Sequence, residues 1–291
     1  MRADLNHHRS RRQYGYAAGL VGLITVIAMA AAGCAPRTGS PSARPSSDAS
    51  SRAGAPASPS PEPPPPAGSC HHLDYRAAGQ PTASRSATPC NGPHTSVTIA
   101  VGHLDQVLDG HLMAIDSHYV QSQLARRCPA RLAQYVGGSM QDRRLSSFRA
   151  IWFGPSVAQA DRGANWFRCD LVAVARNSHL AQLGRHLRGV LDRPGALARY
   201  GICGTAPPSS KHFDRVICSR KHSWRAFATI ALPRHARYLG KPAAAAADQR
   251  CKSVATGRAH GALKYSWSFE WPTRQEWKDG QRFGLCWLPT H

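Results

Sequence analysis

The sequence has few carboxylates. Among its 291 residues, 16 Asp and Glu stand against 37 Lys and Arg, so the formal net charge at pH 7 is +21. Only thirteen carboxylates lie in residues 70–291, and none recurs as the kind of pair that acid–base hydrolysis needs. A Gly-x-Ser-x-Gly elbow, a His-Glu-x-x-His motif and a phosphate-binding glycine loop are absent as well. We therefore predict that the protein is not an enzyme and has no catalytic residues, cofactor or metal.

The sequence also lacks an apolar run long enough for a comfortable membrane span. Residues 1–16 carry four Arg and one Asp, and the apolar run of residues 17–32 ends at Gly33-Cys34. A basic start, a short apolar run and small residues before a cysteine are typical of a lipoprotein signal peptide. We predict that residues 1–33 are removed and that a lipid on Cys34 anchors the protein to the extracytoplasmic face of the cell membrane. An uncleaved anchor helix is the alternative, and the Sec and twin-arginine export routes both stay open.

Residues 34–69 are predicted to form a disordered linker that begins at the lipidated cysteine. Residues 35–69 contain ten prolines and many Ser and Ala, with hardly any large apolar side chain. Such a segment buries too little apolar surface to offset the entropy lost on ordering. It would hold the folded part of the protein away from the lipid surface.

The other eight cysteines point to an internal duplication. They form two sets of four: Cys70, Cys90, Cys128 and Cys169, then Cys203, Cys218, Cys251 and Cys286. In each set, the second cysteine opens a Cys-x-x-x-His motif, and the fourth follows a proline by fourteen residues. The residues concerned are His94 and Pro155 in the first set, and His222 and Pro272 in the second. Because several special residues share one register, we predict two copies of one domain, at residues 70–192 and 199–291.

Each copy is predicted to have the order β–α–β–short α–β, which places the fold in the α+β class. Residues 156–159 and 273–276 each form a capping box directly after a proline. Each box would start a short helix that Gly163 or Gly280 ends. An aromatic strand precedes this helix, a strand with the fourth cysteine follows it, and the third cysteine lies in a longer helix.

Even numbers of cysteines in small exported domains normally form disulfides. Four cysteines allow three connectivities, which the sequence alone leaves open. Neighbour order favours first with second and third with fourth, that is Cys70–Cys90, Cys128–Cys169, Cys203–Cys218 and Cys251–Cys286. The longer pairings would then link each long helix to its last strand.

These motifs resemble the septum formation-related domain of actinobacterial envelope proteins. The start of that domain matches residues 68–70 and 201–203, and its Cys-x-x-x-His strand and closing cysteine occur in both copies. The resemblance covers nearly all of residues 68–291 and implies a place, the division septum or nearby envelope, rather than a reaction. The family usually has Glu three residues after the motif histidine, but Val97 and Arg225 stand there. No role for a His–Glu pair is therefore predicted.

Few single residues invite a functional interpretation. His94 and His222 are predicted to be structural, because no second ligand for a metal recurs near them. His71 and His72, at a domain edge, are expected to be solvated. Trp277, on the short helix of the second copy, is the aromatic that we expect to be exposed and able to stack on a sugar.

Two functions remain open at this point. The first is a non-enzymatic envelope lipoprotein that binds a protein or an anionic wall polymer or lipid head group. A strongly basic surface attracts such polyanions, whereas an exported protein rarely meets nucleic acid, which we therefore exclude as a partner. The alternative is an envelope hydrolase or transferase whose site forms between the two copies. Convergent carboxylates or histidines in a shared cleft would favour that alternative.

Overall fold

The computed structural model describes residues 63–64, 66–82, 86–235, 237–258 and 265–290. The predicted signal peptide, Cys34 and nearly all of the predicted linker lie outside these described residues. None of the helices in the described part combines the length and apolar character that a membrane span requires.

The described chain mixes helices and strands, as predicted for an α+β fold. The strands are β1 (Cys70–His71), β2 (Ser96–His103), β3 (Val107–Leu108), β4 (His111–Leu112), β5 (Phe148–Phe153), β6 (Trp166–Arg176), β7 (His179–Leu180), β8 (Ile202–Gly204), β9 (Arg215–Ile217), β10 (Trp224–Ala231), β11 (Ser268–Glu270) and β12 (Phe283–Pro289). The helices are α1 (Tyr75–Ala78), α2 (His118–Val136), α3 (Met140–Leu145), α4 (Val157–Asp161), α5 (Ala196–Tyr200), α6 (Lys241–Arg258) and α7 (Arg274–Lys278), with a 3-10 turn at Val190–Asp192.

The strands form two antiparallel sheets and one small hairpin. The first sheet has the order β1-β2-β6-β5, with β7 also paired to β6, and the second has the order β11-β12-β10-β8-β9. The hairpin consists of β3 and β4. In both sheets the strand that carries the fourth cysteine of its set is paired on both edges, and the residues around that cysteine are buried.

The two sheets pair in corresponding registers. β2 pairs with β6 from Ser96↔Val172 to His103↔Trp166, with an irregularity between Thr98 and Ala100. β10 pairs with β12 from Trp224↔Pro289 to Ala231↔Phe283, with an irregularity between Ala226 and Ala228. The residue after each irregularity stands opposite the fourth cysteine, Cys169 or Cys286. The same strand geometry therefore surrounds both cysteines.

A long helix lies on each sheet and is tied to it by a disulfide. Val120, Leu124 and Cys128 of α2 are fully buried and, at a spacing of four residues, lie on one face of the helix. Disulfides Cys128–Cys169 and Cys251–Cys286 join α2 to β6 and α6 to β12, while Cys70–Cys90 and Cys203–Cys218 close shorter loops. These are the four pairs that neighbour order predicts. Each closes a loop and so stabilises the fold by about 3–4 kcal/mol in the chain-entropy estimate.

The short helices α4 and α7 begin as predicted. Ser156 and Thr273 are the N-caps, and each forms a complete capping box with the residue three positions later. Gly163 and Gly280 follow these helices with φ of +89° and +90°, a conformation that costs glycine far less than other residues. Local signals alone decide where these helices begin and end.

The two sheets share their cores. Leu145 of α3 packs with Ile202 and Trp287 of the second sheet, and Ile217 of β9 belongs to the cluster built mainly from first-sheet residues. Ser147 N donates to Tyr200 O at 2.7 Å. Residues of the two predicted copies therefore pack against each other within one compact unit.

Candidate binding cleft

A cleft of about 430 Å³ lies where α2, α3 and the start of β5 face α7 and the start of β12. We call it the arginine cleft. Elements packed on the two sheets supply its apolar lining, which consists of Pro129, Leu132, Ala133, Val136, Met140, Phe148 and Phe283. Met140 is 60% exposed at its edge. The cleft thus offers a ligand a largely apolar floor.

Three arginines, Arg143, Arg144 and Arg149, line the same cleft. Arg143 Nη1 donates to the carbonyl oxygens of Gly137 and Gly138, at the end of α2. Arg149 Nη1 donates to the carbonyl oxygen of Phe148 at 2.7 Å. These contacts hold two guanidinium groups in place.

Arg144 is held by an aromatic ring. Its guanidinium carbon lies 4.6 Å from the centre of the Phe283 ring, in the geometry of a cation–π contact. Desolvation lowers the pKa of Arg144 from its ordinary value, although an arginine stays protonated at neutral pH. No carboxylate in the described part of the chain forms an ion pair with Arg143 or Arg144. An anion that enters the cleft would therefore stabilise both cations.

The carboxylates of the cleft already have partners. Glu276 accepts a hydrogen bond from Arg215 Nη1 at 2.6 Å and one from the Thr273 backbone N at 2.7 Å. Burial by itself raises the pKa of Glu276, but the pair with Arg215 and these hydrogen bonds hold it below its ordinary value. Asp279 accepts from Gln275 Nε2 at 2.9 Å. Both carboxylates are therefore held by hydrogen bonds.

A second cavity of about 300 Å³ shares Arg149 and Glu276 with the arginine cleft. Among the described residues that line the two cavities there is no histidine. The carboxylates that line the arginine cleft, Glu276 and Asp279, are both engaged in hydrogen bonds.

Each sheet holds a buried or half-buried ionic cluster, and the sequence did not indicate either. In the second sheet, Arg215 pairs with Glu270 at 2.9 Å and with Glu276, while Trp287 Nε1 donates to Glu270 at 3.1 Å. Burial raises the pKa of Glu270 despite this pairing. The cluster fixes α7 against the second sheet and so fixes one wall of the cleft.

The first sheet buries a different cluster. Arg168 and Asp170 of β6 have side chains that are 0% exposed, and Arg168 Nη2 lies 3.2 Å from Asp170 Oδ2. Ser96 and Thr98 hydroxyls donate to Asp170 at 2.7 and 2.9 Å. Arg168 Nη1 lies 3.0 Å from His71 Nε2. The expectation that His71 is solvated is wrong, because β1 pairs with β2 and brings this ring, 1% exposed, over the cluster.

His94 and His222 make the same local contact. His94 Nδ1 lies 2.9 Å from Gly92 O, and His222 Nδ1 lies 2.7 Å from Arg220 O. Each ring thus closes the turn that leads into β2 or β10. Such a contact suits a structural histidine, and neither residue lies in the cleft.

The prediction that Trp277 is exposed is wrong. This side chain is only 9% exposed and stacks on Trp271, with ring centres 5.9 Å apart. The guanidinium carbon of Arg282 lies 4.1 Å from the centre of the Trp277 ring. A helix of five residues has too little periodicity to reveal which side faces the sheet, so the sequence could not decide the burial of Trp277.

The cleft arginines were missed as site residues, although a local signal precedes them. Ser139 and Asp142 form a capping box at the start of α3, and the Arg143-Arg144 doublet follows directly. Cys34, the predicted lipidation site, lies outside the described residues. In the described part of the chain no group of three or more His, Cys, Asp and Glu is placed to hold a metal ion.

One family model covers most of the residues that form the cleft and the two sheets. Residues 67–282 match the family model described as Septum formation. The chain belongs to the septum formation family. The resemblance inferred from the cysteine and histidine motifs is thereby confirmed, and the family suggests a role in cell division or the envelope. No curated protein and no solved structure matches the chain.

Proposed function

We propose that this septum formation protein is a non-enzymatic, lipid-anchored envelope protein that binds a protein or an anionic envelope polymer near the division septum. The arginine cleft is the observation that carries the proposal. It combines an apolar floor with Arg143 and Arg144, two cations that no described carboxylate neutralises. The family match supports the place of action.

We also propose that the folded part arose by duplication of one domain. The equal registers of β2–β6 and β10–β12 support this history, as does the placement of an irregularity one residue before the position opposite each fourth cysteine. The strand pairs β5–β6 and β11–β12 agree as well, because Trp152 stands opposite Cys169 and Phe269 stands opposite Cys286. Independent sequences rarely converge on one register over several strands, because a slip by one residue exchanges the two faces of a strand.

A binding experiment tests the role of the cleft. The oxidised chain from residue 35 onward would be incubated with vesicles that contain anionic lipid and with cell-wall preparations, then sedimented at rising salt. We expect binding at low salt that weakens steeply toward physiological ionic strength, where the Debye length is about 8 Å. The double change Arg143→Ala with Arg144→Ala should reduce retention by more than fivefold at low salt, on the order of what two desolvated charge contacts contribute.

The matched control is Arg220→Ala with Lys221→Ala. It removes the same two charges from an exposed turn that does not line the cleft. An equal loss of retention in both double variants would mean that binding follows net charge alone, and it would contradict a specific role for the arginine cleft. Binding that does not depend on salt would contradict the electrostatic part of the proposal.

The anchor is tested separately. Cys34→Ala removes the thiol that would carry the lipid, so the chain should move from the membrane fraction to the soluble fraction and lose the mass of the lipid. Cell fractionation and intact-mass measurement detect both changes. A Cys34→Ala protein that still sediments with membranes would favour the uncleaved anchor helix.

A further inference from the structure

The β3–β4 hairpin exposes apolar side chains at its tip. Val107 is 54% exposed, Leu108 37% and Leu112 80%. The hairpin turns at Asp109-Gly110, both with positive φ, of 50° and 80°, as in the two-residue turns that suit a twisted hairpin. A tight, well-formed turn that presents three large apolar side chains to solvent is the kind of surface that binds another molecule.

The hairpin also has the opposite charge from the rest of the protein. Residues 86–125 contain three Asp and no Glu, Lys or Arg, in a chain whose net charge is +21. Of these three, Asp109 lies within the hairpin, Asp105 precedes it and Asp116 follows it. Asp109 lies at the tip, exposed, beside the apolar side chains. The hairpin therefore complements the arginine cleft in both charge and apolar character.

The hairpin cannot fill the cleft of its own molecule. Tyr119 Oη donates to Asp105, and Gln123 Nε2 donates to the Asp105 carbonyl oxygen at 2.7 Å, so the hairpin packs on the N-terminal half of α2. The cleft begins at Pro129 and extends past the C-terminal end of that helix. At about 1.5 Å per residue, the hairpin contacts and the cleft floor lie roughly 20 Å apart along α2.

We propose that the β3–β4 hairpin of one molecule docks into the arginine cleft of a second copy of this chain. The apolar side chains of Val107, Leu108 and Leu112 would lie on the cleft floor, and Asp109 would face Arg143 and Arg144. A second copy of the chain would then be a ligand of the arginine cleft, so the proposed contact rests on the proposed function of that cleft as a binding site. Because the two surfaces differ and lie at opposite ends of α2, the contact is heterologous and produces rings or open filaments.

The acidic tip also disfavours other partners for the hairpin. Anionic lipid head groups and phosphate-bearing polymers would be repelled by Asp105 and Asp109. A second copy supplies both the cations and the apolar floor. The net positive charge of the chain opposes self-association at low salt, but this long-range repulsion is largely screened at physiological ionic strength.

Site-specific photocrosslinking in cells that produce the full chain tests the contact. A photoreactive amino acid at position 112 should yield a covalent dimer, and peptide mapping should place the crosslink in residues 129–149 or 276–283 of the other molecule. A crosslink only to lipid, wall polymer or a different protein, or no dimer at all, would overturn the proposal.

Charge reversal sharpens the test. Asp109→Arg and Arg144→Asp should each lower the dimer yield by about fivefold, because attraction becomes repulsion. The two changes together should restore most of the yield, since the pair is then inverted. Asp116→Arg, an exposed change off the hairpin, is the control and should leave the dimer unchanged. Failure of the double change to recover the dimer would contradict the pairing.

Two readouts separate this proposal from the proposed function. If Arg143→Ala with Arg144→Ala abolishes binding to vesicles or wall preparations while position 112 gives no dimer, only the head-to-tail contact is wrong. If the dimer forms and depends on the charges while those preparations are not retained, the cleft serves self-association alone. Non-reducing peptide mapping of all four disulfides confirms that each variant is folded.

Discussion

The two sheets share one strand register but differ in where their charged side chains lie. β6 carries Arg168 and Asp170 on either side of Cys169, and both are fully buried. Leu285 and Trp287 flank Cys286 in the same way on β12, while the ion pairs of that sheet lie toward its edge, at Arg215. Backbone pairing and the position of the helix-bound cysteine are thus compatible with either a charged or an apolar sheet face.

This tolerance has a physical reason: the two faces of a central strand contact different parts of the protein. Cys169 and Leu171 face α2, and this face carries the disulfide and the apolar core. Arg168 and Asp170 face the segment around β1 and α1, where hydroxyls of Ser96 and Thr98 complete the cluster. This buried polar face depends on the pairing of Arg168 with Asp170 and on the two hydroxyl hydrogen bonds, since Arg168 Nε is buried without a hydrogen bond to any described residue.

The largest expected difference between the sheets concerns this buried pair. Asp170→Ala would leave the Arg168 guanidinium buried without its counter-charge, so it should lower the free energy of unfolding by about 3–5 kcal/mol. Urea denaturation of the oxidised protein measures the change. The double change Arg168→Leu with Asp170→Leu, which makes β6 resemble β12, should recover part of the loss because no unpaired charge remains buried. A double variant less stable than Asp170→Ala would contradict this account.

A second difference is the response of the second sheet to acid. The pKa of Glu276 is held below its ordinary value of 4.5, so this carboxylate contributes stability above that pH and loses the contribution as the pH falls through its folded-state pKa. Glu276→Gln should therefore be less stable than the natural protein near neutral pH, and the difference should shrink as the pH falls below 4.5. Denaturation at several pH values checks this. The exposed change Asp248→Asn is the control, and a Glu276→Gln deficit that persists undiminished in acid would point to lost packing.

The smallest expected effect tests what the two sheets share. Gly163→Ala and Gly280→Ala each force a side chain into positive φ after an equivalent short helix, and each should cost about 1–2 kcal/mol. The two costs should agree, because the local geometry is the same. Gly257→Ala, within α6 and with open space around its Cα, should instead stabilise by about 0.5–1 kcal/mol. Unequal costs at Gly163 and Gly280 would show that the surroundings, and not the turn, decide the penalty.

Sequence reasoning succeeded where the signal is short in range or carried by cysteine. The capping boxes at Ser156 and Thr273 depend on residues three positions apart. The four disulfides join neighbours in cysteine order, so position along the chain was enough to pair them. It failed where burial depends on distant segments: His71 meets Arg168 across 97 positions, and Trp277 is covered by Trp271 and by Tyr238.

By itself, the sequence indicated the strands around each long helix, the ends of the short helices, a favoured pairing of the cysteines and the family. These follow from steric limits at glycine, from caps and from the few ways in which four cysteines can pair. Only the tertiary structure decided which polar groups are buried and where a ligand could bind. The arginine cleft combines residues 129–149 with residues 276–283, and the hairpin lies at the far end of α2. Their charges become complementary surfaces only when the chain is folded, because the packing of the two sheets brings one set of residues together and keeps the other apart.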